Sequence, residues 1–595
     1  MIGTQLPATF TAAFQKTVAD HPHKLALSTA DGSVRITWRQ YGDRVRALAT
    51  GLAGLGVHRG DTVGIMLTNR PEFHLVDTAA LHAGATPFSI YNTLAPEQIA
   101  HLFGNAGNRV VICEEQFLDQ IRAAAASAET AVEHIVCIDA DVAGALSLAQ
   151  LEAGQADGFD FDKSWQAVAP PDVVTIIYTS GTTGPPKGVE LTHANMLAEL
   201  EGTTQVSPIT ADDSVISYLP DAHIANRWGA HYSSLVSGMH IVTLANLKEM
   251  ISVLPSVRPT FFGAVPQVWY KLKAGIEAQL AAEKSPVKKT LATWAIRVGR
   301  QRARLLSDQK PIPATLKAQH ALAERLVLSA VRKRLGLDRV RFAATGAAAI
   351  DPEALEFVLA LGLPCCELWG MSELSCAATI NPPDAVRIGT VGKALSNVEL
   401  HIADDGELLV RGPLVMKGYR NDSEKTAEAI DTEGWLHTGD IATIDDDGYV
   451  RIVDRKKELM INAAGKNMSP SNIEGTVKVS SPLIGSVVAI GDDRPYVVAL
   501  MTLDPDASAA FAAEHGLADG SPAALADNPE VRAAIEMGMK EANARLARVE
   551  QIKKFAILPD VWEPGGDEVT PTMKLKRKPI TQKYAKQIEA LYAKS

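Results

Sequence analysis

Apolar and polar positions follow two different rhythms along the first half of the chain. In ITWRQYGDRVRALATGLAGLGV, residues 36–57, apolar residues return at three- and four-residue intervals and the run closes on glycines, which predicts an amphipathic helix. Short apolar runs follow at DTVGIML (61–67), RVVICE (109–114) and DVVTIIYTS (172–180), each the length of a buried strand. Further strand-like runs come at SVISYLP (214–220), TFFGAVP (260–266), RFAATG (341–346) and CCELWG (365–370). LTHANMLAELEG (191–202) opens a helix, with Thr192 placed to cap it. Helix and buried strand in alternation predict βαβ units, hence an α/β fold with mainly parallel sheets.

After about Arg387 the rhythm changes. ELHIADDGELLVRG (399–412) and IATIDDDGYVRIVDR (441–455) alternate around Asp-Gly turns and predict the hairpins of a β-rich subdomain. Beyond Lys457 a smaller α/β region is expected. It holds a strand pair in VVAIGDDRPYVVALMTL (487–503), a helix over PEVRAAIEMGMKEANARL (529–546) and a strand in KKFAILP (553–559). A chain of 595 residues exceeds what one hydrophobic core usually supports. The charged strip Asp454–Lys457 is the natural joint, between a large domain of residues 1–456 and a small one of 457–595.

Charge adds one local feature. The chain holds 58 Lys and Arg against 69 Asp and Glu, a net of −11, and so gives no reason to expect a nucleic-acid partner. Residues 271–341 run the other way, with 17 basic residues against 5 acidic ones, and VKKTLATWAIRVGRQRARLL (287–306) within them has helical spacing. A solvated basic insertion and a surface for anionic lipid headgroups both fit this pattern, so peripheral membrane contact stays open. A homodimer is compatible with it as well. Cys113, Cys137, Cys365, Cys366 and Cys376 show neither a CxxC pair nor metal-ligand spacing, which suits reduced thiols and a cytoplasmic location. The N-terminal stretch lacks the basic-then-apolar order of a signal peptide. No uncharged apolar run reaches the roughly 18 residues of a membrane span.

Candidate chemistry concentrates first in YTSGTTGPPKG, residues 178–188. Glycines let a backbone approach a ligand closely, and successive N–H groups and hydroxyls can surround an anion, so this loop after a buried strand is a candidate phosphate site. It is not a Walker A loop, because Gly184 is followed by Pro185 and Pro186 and the GxxxxGK[ST] spacing fails.

Four further stretches follow in order: WGMSE (369–373), WLHTGD (435–440), DRKKELMINAAGKN (454–467) and TPTMKLKR (570–577). Together with the loop they resemble the motifs of the adenylate-forming enzymes, the superfamily of acyl-CoA synthetases, firefly luciferase and peptide-synthetase adenylation domains. The resemblance runs from about residue 10 to the C-terminus. It implies a large AMP-binding domain and a small mobile C-terminal domain. It implies that Thr179, Ser180, Gly181, Thr182, Thr183, Gly184 and Lys187 hold the phosphates of ATP, and that Thr179 and Glu373 bind Mg²⁺, a hard-oxygen pair suited to that ion. Trp369, where the family usually has Tyr, would stack on adenine beside Gly370 and Ser372. Asp440 would accept hydrogen bonds from the ribose hydroxyls, and Arg455 would add a ribose or phosphate contact.

Lys574 would contact the substrate carboxylate and the α-phosphate, a preorganised cation where one anion attacks another. Lys457 would be the hinge about which the small domain rotates. The loop around Gly465 would serve the second orientation, in which the pantetheine arm of coenzyme A enters. The implied reaction takes a carboxylate to acyl-AMP and then to a thioester.

The basic insertion, LWGMSE and TPTMKLK resemble the long-chain fatty acyl-CoA synthetases most, so a fatty acid, ATP and coenzyme A are the expected substrates. A ligase that hands acyl-AMP to a carrier protein shares the same motifs, and another hydrophobic acid would fit as well. A peptide-synthetase-type module fits less well, since HIANRW (223–228) lacks an acidic residue to pair with an amino group. Some long-chain enzymes carry a tryptophan four residues after the histidine of that stretch. Here Arg227 takes the position and Trp228 comes one later.

Overall fold

Thr37 shows how local chemistry starts an element. Its Oγ1 accepts from the Gln40 amide at 3.4 Å while the Gln40 side chain accepts from the Thr37 amide at 2.9 Å, a reciprocal cap on the helix Trp38–Gly54. Tyr41, Val45, Leu48 and Leu52 share one buried face of that helix, as the spacing predicts. The computed structural model describes residues 6–179, 185–462, 466–563, 565–570 and 574–593.

The runs at 61–67 and 109–114 form the strands Thr62–Met66 and Val110–Cys113, buried at every position. They are the inner strands of a parallel five-stranded sheet, completed by Thr86–Ser89, His134–Cys137 and Leu146–Ser147. A second, nine-stranded sheet carries much of the site. Its central strands Cys365–Trp369, Phe342–Thr345, Phe261–Ala264, Ser214–Ser217, His240–Thr243 and Leu25–Thr29 are parallel neighbours in that order. Short antiparallel strands flank them on both sides. The loops leaving the C-terminal ends of Ser214–Ser217 and Cys365–Trp369 therefore lie where open α/β sheets bind ligands.

One expectation is corrected. The sequence pattern places a helix directly after the YTSGTTGPPKG loop, but a strand intervenes. Val173–Thr179 pairs antiparallel with Lys187–Thr192, and the helix His193–Val206 begins only after it. Val189 and Leu191 alternate into the core, while Glu190 between them pairs with Arg420 at 3.0 Å. Two charged residues in a six-residue strand hide its alternation. Thr192 does cap the helix, accepting from the Asn195 amide at 3.1 Å.

The two Asp-Gly hairpins form as expected, in a four-stranded antiparallel sheet of Glu399–Ile402, Glu407–Arg411, Leu436–Ile444 and Val450–Arg455. In the small C-terminal region, Ile484–Ile490 and Val497–Leu503 pair antiparallel, and Ile552–Leu558 adds a parallel third strand. Helices Pro470–Lys478 and Pro529–Arg545 cover one face of that sheet through Ile473, Ile535 and Met539. Trp562, Ile580 and Tyr584 cover the other.

The basic insertion folds into helices, chiefly Pro266–Ala282, Pro286–Ser307, Ala314–Ala323 and Ser329–Leu335. Helix Pro286–Ser307 lies so close to helix Pro352–Ala360 that a Cβ on Gly299 would sit 2.2 Å from the Ala360 carbonyl oxygen. Arg304 reaches Glu356 at 2.5 Å, and Arg332 and Arg341 pair with Glu324 and Asp213, so acids within the fold answer part of the basic charge. Among the described residues no helix is long and apolar enough to cross a membrane. All five cysteines are buried and free.

Candidate active site

The hairpin register sets Thr179 opposite Lys187. Ser180, Gly181, Thr182, Thr183 and Gly184 lie outside the described residues. Thr179 Oγ1 is 3.5 Å from the Lys187 carbonyl, at the limit of a hydrogen bond, so its hydroxyl has capacity for a stronger partner. The Lys187 ammonium sits over the Tyr419 ring, 4.6 Å from its centroid. Tyr419 belongs to the short strand Gly418–Tyr419, which pairs with Lys187–Thr192, and its hydroxyl donates to Glu373 Oε1 at 2.9 Å. Burial and the Glu373 carboxylate push the Tyr419 phenol up, so it remains a donor. One aromatic ring thus ties the hairpin to the WGMSE carboxylate. Sequence reasoning missed it: the signal was an aromatic in KGYRN, and the pairing that gives it meaning spans 46 residues.

Glu373 lies in the 3₁₀ turn Ser372–Leu374 and is 9% exposed. Among the described residues its Oε2 has no hydrogen-bond partner, which leaves one carboxylate oxygen and the Thr179 hydroxyl as donors suited to Mg²⁺. Ser372 opens the turn, half-buried. Gly370 is obligatory where it stands, since a Cβ there would be 1.8 Å from the Cys376 carbonyl oxygen.

Trp369 ends its strand with the indole N–H donating to Asp440 Oδ2 at 2.7 Å. Arg455 Nε pairs with Asp440 Oδ1 at 2.7 Å, because Asp440 and Arg455 are cross-strand partners in their hairpin. Burial raises the Asp440 pKa above the usual value, with Arg455 and then Trp369 opposing it. The arrangement narrows two expectations. The Trp369 edge is committed to Asp440, so a base could meet only its face, and each Asp440 oxygen has one lone pair left for a ribose hydroxyl.

Lys574 enters from the small C-terminal region. Its amide donates to Thr570 Oγ1 at 3.0 Å and its carbonyl accepts from the Thr570 amide at 2.8 Å. The residue as a whole is exposed, with Arg455, Asp440 and Glu373 near enough to act on its charge. Burial and then Arg455 lower its pKa, while Asp440 and Glu373 act against that. His223 is close enough to feel the Lys574 charge. The His223 Nδ1 accepts from the Ala225 amide at 3.1 Å, which puts the proton on Nε2, and burial followed by Lys574 depresses its pKa to about 4.

A buried polar network holds the His223 loop. Arg227 donates to Asp77 Oδ2 at 2.7 Å, to Ser89 Oγ at 2.8 Å and to the Asp221 carbonyl at 3.1 Å. His231 Nε2 meets the other Asp77 oxygen at 2.9 Å, and none of these three charged or imidazole side chains is exposed. Arg227 therefore serves the interior, and Trp228, half-buried one position later, starts from a π-helical turn Arg227–Tyr232 that carries one extra residue per turn.

The structure thus gathers Trp369, Asp440, Arg455, Glu373 and Lys574, with Lys187 joined through Tyr419. Lys457 stands apart, exposed in the turn after Arg455. Gly465, like residues 571–573 beside Lys574, lies outside the described residues.

Trp369, Asp440 and Arg455 joined by direct bonds, with the Lys574 charge close by, suit an adenylate-forming enzyme. The chain belongs to the AMP-binding enzyme family: the family model matches residues 14–420, and that of the AMP-binding enzyme C-terminal domain matches residues 457–595. It is 54% identical over 451 residues to a putative fatty-acid–CoA ligase, FadD11, of Mycobacterium tuberculosis, covering 76% of this chain and 79% of that one. It is 33% identical over 570 residues to the long-chain-fatty-acid–CoA ligase FadD15 of the same organism, covering 94% and 92%. In fold it is similar to the anthranilate CoA ligase AuaEII in complex with anthranoyl-AMP, with a TM-score of 0.74 at 19% identity and 99% of both chains covered. It is also similar in fold to the o-succinylbenzoate coenzyme A synthetase of Bacillus subtilis in complex with ATP and a magnesium ion, with a TM-score of 0.67 at 20% identity, covering 95% and 98%.

Proposed function

We propose that the protein activates long-chain fatty acids, first to acyl-AMP and then to acyl-CoA. The observation that carries this reading is the set of bonds joining Trp369 and Arg455 to Asp440 and Tyr419 to Glu373, with Lys574 near enough to act on both carboxylates. The names of the relatives support a fatty acid as the substrate.

In the first step the fatty-acid carboxylate attacks the α-phosphorus of ATP and pyrophosphate leaves. Two anions approach each other there, and the Lys574 ammonium offsets the charge that builds between them. No protein nucleophile is needed. His223, neutral with its proton on Nε2 and near Lys574, would offer a donor to the carboxylate without adding a competing charge. Trp369 offers its face to the base, and Asp440 with Arg455 receives the ribose. Mg²⁺ held by Thr179 and Glu373 would neutralise phosphate charge. In the second step the thiol of coenzyme A attacks the acyl carbon and expels AMP. Rotation of residues 457–595 about Lys457 would withdraw Lys574 and admit the thiol near Gly465.

Tyr419→Phe removes the hydroxyl bond to Glu373 and keeps the ring under Lys187. Calorimetric titration with ATP is expected to show Mg²⁺-dependent affinity falling by about tenfold, near 1.4 kcal/mol, with metal-free affinity unchanged. Equal weakening in both titrations would separate Tyr419 from the metal site.

The reading is tested by incubating the enzyme with MgATP and carboxylic acids of increasing length, with and without coenzyme A, and following AMP, acyl-AMP and acyl-CoA by mass spectrometry. Acyl-CoA formed best from long-chain acids is the expected result. Acyl-AMP that accumulates regardless of coenzyme A would replace the reading with a carrier-dependent ligase, and a short or aromatic acid preferred throughout would overturn the substrate class.

A further inference from the structure

A hinge fixes where the small domain is attached but leaves its angle free, and Lys574 reaches the site at one angle only. Ser469 and Ser471 already bond Asp454 beside the joint, and contacts farther from Lys457 would add leverage over that angle. Arg545, in the last turn of helix Pro529–Arg545, crosses to the large domain and donates to Asp351 Oδ2 at 2.5 Å. Asp351 is unusually well placed to receive it. Its side chain is 4% exposed, its other oxygen caps helix Pro352–Ala360 by accepting from the Glu353 and Ala354 amides at 2.9 and 3.0 Å, and its own amide donates to Tyr270 Oη at 2.9 Å. The carboxylate is thus immobile before Arg545 arrives, and little ordering remains to be done on that side.

Arg545 also lies 4.0 Å from the exposed Glu353, and a further cross-domain ion pair, Lys271 to Asp506 at 3.1 Å, is of another kind. Its partners are 47% and 85% exposed, and solvent screens such a pair to little net effect.

The placement of Arg545 relative to Lys574 gives the contact its consequence. Helix Pro529–Arg545 covers one face of the small domain's three-stranded sheet through Val531, Ile535 and Met539, whereas the segment leading to Lys574 packs on the opposite face through Trp562 and Val569. The strand Ile552–Leu558 links the two in sequence. Arg545 and the segment before Lys574 thus belong to layers packed on opposite faces of one sheet.

We propose that Arg545 is a positioning residue for adenylation, which pins the small domain to Asp351 in the orientation that presents Lys574. This rests on the two-step reading above. Breaking the pin disfavours the first step alone, because the second uses the other orientation.

The test separates the half-reactions. Acyl-AMP formation is measured without coenzyme A, and thioester formation is measured from supplied acyl-AMP with coenzyme A. Arg545→Ala is expected to slow the first by about tenfold through kcat with KM for ATP little changed, and to leave the second within about twofold. Arg545→Glu, which faces Asp351 with like charge, is expected to slow the first further, and Arg545→Lys to restore most of it. Equal losses in both half-reactions, or an unaltered first step, would overturn the proposal. A readout that needs no substrate accompanies it: tryptic cleavage at Lys456 and Lys457 should quicken in Arg545→Ala, and an unchanged cleavage rate would also overturn it. A wild-type enzyme that adenylates no fatty acid would instead sink the functional reading, with the cleavage rate still reporting on the pin.

Discussion

Lys574→Ala is expected to lose acyl-AMP formation by about a hundredfold to a thousandfold, the scale of removing one preorganised charge from a developing anion. Thioester formation from supplied acyl-AMP should survive, because the proposed rotation withdraws the ammonium in that step. Rapid-quench measurement of each half-reaction decides the point, and comparable losses in both would assign Lys574 a structural role. The site geometry also fixes the form of the dependence on pH. Burial and Arg455 lower the Lys574 pKa, so the cation, and with it the first step, fades at a pH below that of an ordinary lysine. Arg in its place would keep the charge but present a planar fork on a different stem, so Lys574→Arg should recover only part of the rate.

The second large effect concerns stability rather than rate. Asp77→Asn leaves Arg227 charged, buried and short of its partner, and is expected to cost about 3–5 kcal/mol in the large domain. Urea unfolding checks this, and a loss below about 1 kcal/mol would mean that Ser89 and the Asp221 carbonyl satisfy Arg227 by themselves. Burial alone would raise the Asp77 pKa, but Arg227 and His231 together outweigh it and hold it below the usual value. A depressed carboxylate contributes stability above its unfolded pKa of about 3.9 and loses it as pH falls through the folded value. The gap between wild type and variant should therefore be full at neutral pH and close under acid conditions. Replacing Asp77 and Arg227 together by apolar residues should recover much of the loss, since no orphaned charge remains.

What could be read from the sequence follows the range of the interaction. The parallel strands were legible because burial on both faces makes them continuous apolar runs, as in Thr62–Met66. The hairpins were legible because Asp-Gly turns announce themselves locally. Lys187–Thr192 was not, since Lys187 and Glu190 interrupt its pattern and their partners lie far along the chain. The same distance hid the bond between Trp369 and Asp440, 71 residues apart, and the pair of Asp77 with Arg227, 150 residues apart. The motifs pointed to individual residues but not to how they share partners. Tyr419, which serves both Lys187 and Glu373, belonged to no quoted motif.

The hairpin that replaces the expected strand-to-helix turn has an electrostatic corollary. A phosphate loop that opens a helix borrows positive potential from the aligned peptide dipoles behind it. Here the strand Lys187–Thr192 separates the loop from helix His193–Val206, so that permanent source is displaced by a strand's length. In the proposed reading, compensation of a triphosphate then leans more on discrete cations, with Lys187 and Lys574 contributed by different parts of the chain. The polyphosphate would then act as an adhesive between the domains while bound, and its departure would loosen the joint at the moment when rotation is required.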